Sequence, residues 1–215
     1  IAGGLGTYLL LGQLVGGGMG MPRFEAVEVG NLELTWLIPL SLIGTICGWL
    51  YFVSEHASEA LAHAIGERPV VKAMLAGLAL AICGTVLPYT MFAGETQADV
   101  LMETYLTIPA GVLIATGLVK AMLTPALINL GWRGGHFFPV IFSGVSLGYG
   151  LAILTGADPV FCVAVCTAST MGAVMRQPVM VVGLLLMCFP LKGIVCMIIA
   201  AVIAAGIPLP KPLRK

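Results

Sequence analysis

Long stretches of this chain carry no acidic, lysine or arginine residue: Leu34 to Ser54, Ala73 to Gly94, Gly134 to Ala157 and Pro159 to Met175. Several reach the ~20 residues that cross a hydrocarbon core of ~30 Å as a helix. Over the whole chain 59% of residues are hydrophobic and 9% charged, against about 25% charged in soluble domains. Lipid is therefore its main solvent. In lipid every backbone N–H and C=O must be satisfied within the protein, which leaves helices and closed barrels. A barrel needs alternating polar and apolar residues, and these runs do not alternate. The fold expected is all-α and polytopic.

The basic residues Arg23, Arg68, Lys72, Lys120, Arg133, Arg176, Lys192, Lys211, Arg214 and Lys215 sit mostly between the apolar runs, where bilayer energetics favours charge. The formal net charge is zero, so no bulk field attracts nucleic acid. An anion selector would have to be built locally, from dipoles or a few placed cations. The cluster Lys211, Arg214, Lys215 points to a cytoplasmic C-terminus. The six cysteines, Cys47, Cys83, Cys162, Cys166, Cys188 and Cys196, all lie in apolar runs. They read as small packing residues, although Cys162 and Cys166 share a helical face. The opening Ile1-Ala2-Gly3-Gly4 has neither Met nor a basic flank, unlike a signal peptide, so the chain is expected to be part of a longer protein.

Along the chain, Ile1 to Gly20 is apolar and dense in Gly, suited to close helix packing. Met21 to Glu33 reads as a loop at the water boundary. Helices are expected over Leu34 to Ala64, Lys72 to Leu87, Thr96 to Tyr105, Pro109 to Asn129, Pro139 to Leu154, Asp158 to Val174, Pro178 to Phe189 and Lys192 to Ala205. Pro125 is expected to bend or shorten its helix. Prolines at 88, 109, 125, 139, 159, 178, 190 and 208 cut the second half into short pieces. Short, Gly/Pro-interrupted apolar segments point to discontinuous helices meeting near the membrane midplane, as in transporters.

The sharpest interruption is Arg133-Gly134-Gly135-His136-Phe137-Phe138-Pro139. Irregular backbone at membrane depth is tolerated only where protein buries it or it lines a cavity. Gly134 and Gly135 permit positive φ and close approach of a ligand. Pro139 suits a helix start. The amides of His136, Phe137 and Phe138 would then lack intrahelical acceptors at the positive end of a helix dipole of roughly half a charge. That arrangement binds an anion without a salt bridge, and without the tight hold that would slow its exit. A tight interhelical turn is the plainer alternative.

Gly135-His136-Phe137-Phe138-Pro139 matches the G-x-F-x-P signature of the CLC family of chloride channels and proton/chloride exchangers, which this chain resembles. Gly144, Gly148 and Gly150 follow at fitting positions. Met171 to Pro178 looks like the family's small-residue helix ending in an Arg-x-Pro turn, and Gly206-Ile207-Pro208-Leu209 resembles the approach to its last helix. The resemblance implies that the main-chain N–H groups of His136 and Phe137 coordinate a central anion. Gly135 and Phe138 border that site, and Gly134 and Pro139 support it. It also implies chloride as the transported ion, protons as a second partner if the protein is an exchanger, no cofactor, and a homodimer in the plasma or inner membrane. Pro178 to Phe189 and Lys192 to Ala205 are the natural candidates for the dimer interface.

The chain resembles only the second of the family's two inverted halves, so residues 1–215 form a single membrane domain whose N-terminal partner half is absent. Neither Gly-Ser-Gly-x-Pro nor Gly-Arg-Glu-Gly-Pro occurs here, and Gly66-Glu67-Arg68-Pro69 imitates the latter in the wrong order. Pro210 stands where many members place a tyrosine.

Two function classes compete with a CLC-type anion transporter. One is an unrelated secondary transporter of another anionic solute. The other is an intramembrane serine hydrolase, because Gly144-Val145-Ser146-Leu147-Gly148 matches G-x-S-x-G; the same residues also form Gly-x-x-x-Gly, a helix-packing pattern. Glu55, His56, Glu59 and His63 share a broad helical face that could bind a metal, but read better as the wet end of a helix; no metal is expected. Glu95, Asp99 and Glu103 read as surface carboxylates.

Overall fold

The computed structural model describes residues 22–25 and 27–210; the segment Ile1 to Gly20 and the cluster Lys211, Arg214, Lys215 lie outside the described residues. The helices are α1 (Asn31–Ile65), α2 (Pro69–Val86), α3 (Glu95–Thr104), α4 (Ala110–Asn129), α5 (Phe137–Thr155), α6 (Pro159–Met175), α7 (Pro178–Leu185) and α8 (Ile194–Gly206). Single 3₁₀ turns at Pro88–Thr90 and Tyr105–Thr107 flank α3. Helices α1, α2, α4 and α5 are long and apolar enough to cross a membrane. The chain is an integral membrane protein.

Proline marks several of the helix starts. Pro69, Pro159 and Pro178 open α2, α6 and α7, where a missing N–H forfeits no intrahelical bond. Two further prolines lie within helices. Pro125 sits within α4, which continues to Asn129. Pro139 is the third residue of α5, which begins at Phe137 and runs 19 residues. The first-turn amides have no intrahelical acceptor, so proline is tolerated there and need not be the first residue. The segment expected as a short helix is thus long enough to span. By contrast α7 stops at Leu185, and the Met187, Cys188 and Phe189 amides fold back onto Leu184 and Leu185 carbonyls.

The core is organised around α6, whose residues Phe161 to Ala173 are all buried. It packs against α5 on one side, α1 on another and α8 on a third. Such close approach needs small residues at the seams, because between helices in lipid packing replaces the hydrophobic drive. On α5, a Cβ built at Gly148 would stand 2.5 Å from the Val163 Cα, and one at Gly144 would run into the Thr167 backbone. On α1, a Cβ at Gly48 would meet the Ala173 Cβ at 2.5 Å. Several polar side chains in the core bond to backbone; Thr170 Oγ1 donates to Gly44 C=O at 3.2 Å.

Helix α1 is tied to α4 near its wet end. Ser54 Oγ donates to Met122 C=O at 2.6 Å, and Asn129 Nδ2 donates to Glu55 C=O and Ser58 Oγ at 3.0 and 2.9 Å. Arg176, in the left-handed region at φ 56°, caps α6. Its Nη1 donates to Ala205 C=O at 3.1 Å, fastening the end of α6 to the end of α8.

Candidate functional site

The break between α4 and α5 is built in two steps. First, α4 closes with a Schellman turn. Gly131 N–H bonds Ile128 C=O at 3.0 Å and Trp132 N–H bonds Leu127 C=O at 3.0 Å, with Gly131 at φ 97°. This pairing satisfies the last carbonyls of the helix and calls for glycine at the left-handed position. The expectation that Gly134 and Gly135 supply positive φ is therefore corrected: Gly131 does that. Residues 132–135 then run without regular structure and are exposed.

Second, α5 begins. His136 is its N-cap, at φ −94° and ψ −13°, and no side chain caps the helix. The first intrahelical bond runs from Val140 N–H to His136 C=O at 3.2 Å. The Phe137 and Phe138 amides precede that bond, and Pro139 has no N–H. No acidic residue occupies the first turn, so nothing on the helix itself neutralises the dipole there. The His136 and Phe137 rings stack with centroids 4.6 Å apart, and residues 136–139 are half-buried. A Cβ at Gly134 or Gly135 would meet no protein atom within 4 Å. Protein packing does not require glycine at either position.

Beside this segment lies a cavity of about 260 Å³, bordered by Leu80 of α2, Phe92 and Ala93, the α4 residues Lys120, Thr124, Leu127 and Ile128, then Trp132 to Gly135 and Pro139. Lys120 is the residue that sequence reading passed over. It falls within the helix expected over Pro109 to Asn129, lies in the middle of α4 and is 4% exposed. Its ammonium donates to Thr90 C=O at 2.7 Å and to Phe92 C=O. Phe92 is itself at φ 60°. The signal was present: a lone lysine within an otherwise apolar helix is by default a site hypothesis.

The other sequence candidates fall elsewhere. Ser146 is fully buried and its hydroxyl donates to Leu113 C=O at 2.8 Å, a bond between α5 and α4 rather than the posture of a nucleophile. Glu59 and His63 border a second cavity of about 190 Å³ with Lys72 and Asn129, while the His56 ring Nδ1 lies 3.3 Å from Phe52 C=O of its own helix. Among the described residues no group of three or more potential metal ligands forms. Cys162 and Cys166 are buried free thiols. Asp99 and Glu103 are exposed on α3 and Glu95 is half-buried there; burial, and then Glu103, push the Asp99 carboxyl above its usual range.

The break thus sets an uncapped helix start between two helices that are each long and apolar enough to cross a membrane. The family model described as voltage gated chloride channel matches residues 2–208, and the chain belongs to that family. The fold is similar to that of a solved CLC-type fluoride/proton antiporter, with a TM-score of 0.74 and 21% sequence identity over 94% of this chain and 52% of that one. The chain thus spans about half the length of that relative. No curated protein matches the chain.

Proposed function

We propose that the protein carrying this segment moves a small anion across its membrane, and that the α5 N-terminus is one side of the anion's path. The observation that carries the reading is the uncapped helix start. The Phe137 and Phe138 amides have neither an intrahelical acceptor nor a capping side chain, and the backbone before them is open at Gly134 and Gly135. Oriented amides replace part of an ion's hydration shell without a fixed counter-charge, which permits exit as well as binding. Gly135 and Pro139 border the cavity beside them, and His136 is the N-cap. Family membership supports anion movement in general. Chloride is the first choice of ion, and the fluoride/proton antiporter named above makes fluoride the second.

The path is completed by segments beyond this chain, which forms a single membrane domain. Subunits pair through α7 and α8, where Val179, Val195 and Val202 are 89%, 63% and 51% exposed. The plasma or inner membrane is the expected setting.

The test is anion flux from proteoliposomes holding the protein with this segment, with chloride and fluoride efflux read by electrode. Gly135→Ala supplies the local probe. Its Cβ meets no protein atom, so the variant should fold as the parent does. A methyl crowding an anion-lined backbone costs about 1–3 kcal/mol, and flux should fall about tenfold. Parent-like flux in Gly135→Ala would remove the amide cradle, and absence of flux for both ions would remove the transport reading.

A further inference from the structure

The cavity beside the break has a second property: its charged lining is entirely basic. Lys120 and Arg133 border it, and no carboxylate does. The two cations differ in kind. Arg133 is exposed and its charge is screened by solvent. Lys120 is 4% exposed, and a buried ammonium is expensive unless a counter-charge or full hydrogen bonding compensates it. An ammonium has three N–H donors; the Thr90 and Phe92 carbonyls take two. Carbonyl dipoles offset only part of a full charge. Lys120 itself borders the cavity, whose 260 Å³ exceeds by several-fold the ~30 Å³ share of one water. A partly hydrated halide fits that space.

We infer that this cavity holds a small monovalent anion at its own position beside the α5 N-terminus, with Lys120 as the fixed positive charge. The inference rests on the anion reading above and adds a site and a residue to it. Lys120 would bind by charge where α5 binds by amides. The two carbonyls that pin the ammonium also temper its field, so the anion is gathered without being trapped. Arg133 lies at the exposed side, where a basic group raises the local anion concentration. Phe92, whose carbonyl helps pin the ammonium, borders the cavity, which gives its strained backbone a purpose: a conformation of this kind persists where surroundings hold it.

Trp132 borders the cavity and provides the readout. Iodide is the probe, because it quenches indole fluorescence on contact. In detergent-solubilised protein carrying this segment, the quenching component that disappears in Trp132→Phe should saturate with iodide, and chloride should compete for it. Lys120→Met should raise the iodide midpoint at least tenfold, as expected for a lost charge-assisted bond. Arg133→Gln should raise it about twofold to fivefold. If Lys120→Met does not fold, Arg133→Gln decides, since that side chain is exposed and its loss leaves the core intact. Strictly linear quenching in the parent, or midpoints unmoved in every folded variant, overturns the cavity site. Chloride flux accompanied by linear quenching removes this site and leaves the transport reading standing. Saturable quenching without flux does the reverse.

Discussion

Replacing Gly148 with alanine tests whether the α5–α6 seam is as close as described. The added Cβ would stand 2.5 Å from Val163 Cα, 2.8 Å from Val163 N and 2.9 Å from Cys162 O. All three are backbone atoms, which cannot swing aside as a side-chain tip would. Carbon pairs rest about 3.5–4.0 Å apart, so the helices must part locally by ~1 Å, and a gap of that size forfeits a quarter to a half of each pair's ~0.1–0.2 kcal/mol. Taking ~50 atom pairs across the seam, as many as one buried leucine makes, the loss is about 2–3 kcal/mol. Alanine's better helix propensity returns up to ~1 kcal/mol, leaving a net loss of about 1–3 kcal/mol. Gly77 in α2 is the control. A Cβ there meets nothing within 4 Å, so alanine should be neutral or stabilising by up to ~1 kcal/mol. The assay is reversible unfolding in mixed micelles by titration with sodium dodecyl sulfate, followed by circular dichroism. If Gly148→Ala proves as stable as Gly77→Ala, the seam is not where the structure places it.

Two further substitutions probe the polar fastenings, each read by the same unfolding titration. Asn129→Ala removes the bonds to Glu55 C=O and Ser58 Oγ; Ser58 also donates to that carbonyl, so a loss of only ~1 kcal/mol is expected. Asp158 caps α6 by accepting from Phe161 N–H at 2.7 Å, yet burial outweighs that bond and pushes its carboxyl above the usual range. A carboxyl raised on folding favours the folded state most below its unfolded pKa of ~3.9, and that advantage is lost as pH rises through the higher folded value. The parent should therefore lose ground to Asp158→Asn as pH climbs from about 4, and an opposite slope would contradict the assignment.

Much of this architecture was legible in the chain because bilayer physics leaves few choices. Uncharged runs became helices with edges displaced by only a few residues, and Gly144-x-x-x-Gly148 proved a packing seam rather than a nucleophile turn. The break at 133–139 was also visible. What sequence could not resolve was which glycine carries the unusual backbone. Gly131, Gly134 and Gly135 are alike in composition, and only the paired bonds from Gly131 and Trp132 onto Ile128 and Leu127 single one out. Lys120 falls inside the helix expected from sequence, but what holds its ammonium does not show there: two carbonyls thirty and twenty-eight residues away. Long-range partners of that kind leave no local pattern.

The burial of α6 has a further consequence for how the protein meets different membranes. Helices that touch lipid tilt or deform to match bilayer thickness, and α2, only 6% buried across its apolar window, is the segment most subject to that adjustment. Helix α6, enclosed by α1, α5 and α8, has no acyl chains to answer to. Through Gly144 and Gly148 it holds α5 directly. The depth of the α5 start is thereby referenced to protein rather than to lipid, and changes in acyl-chain length should reach it last.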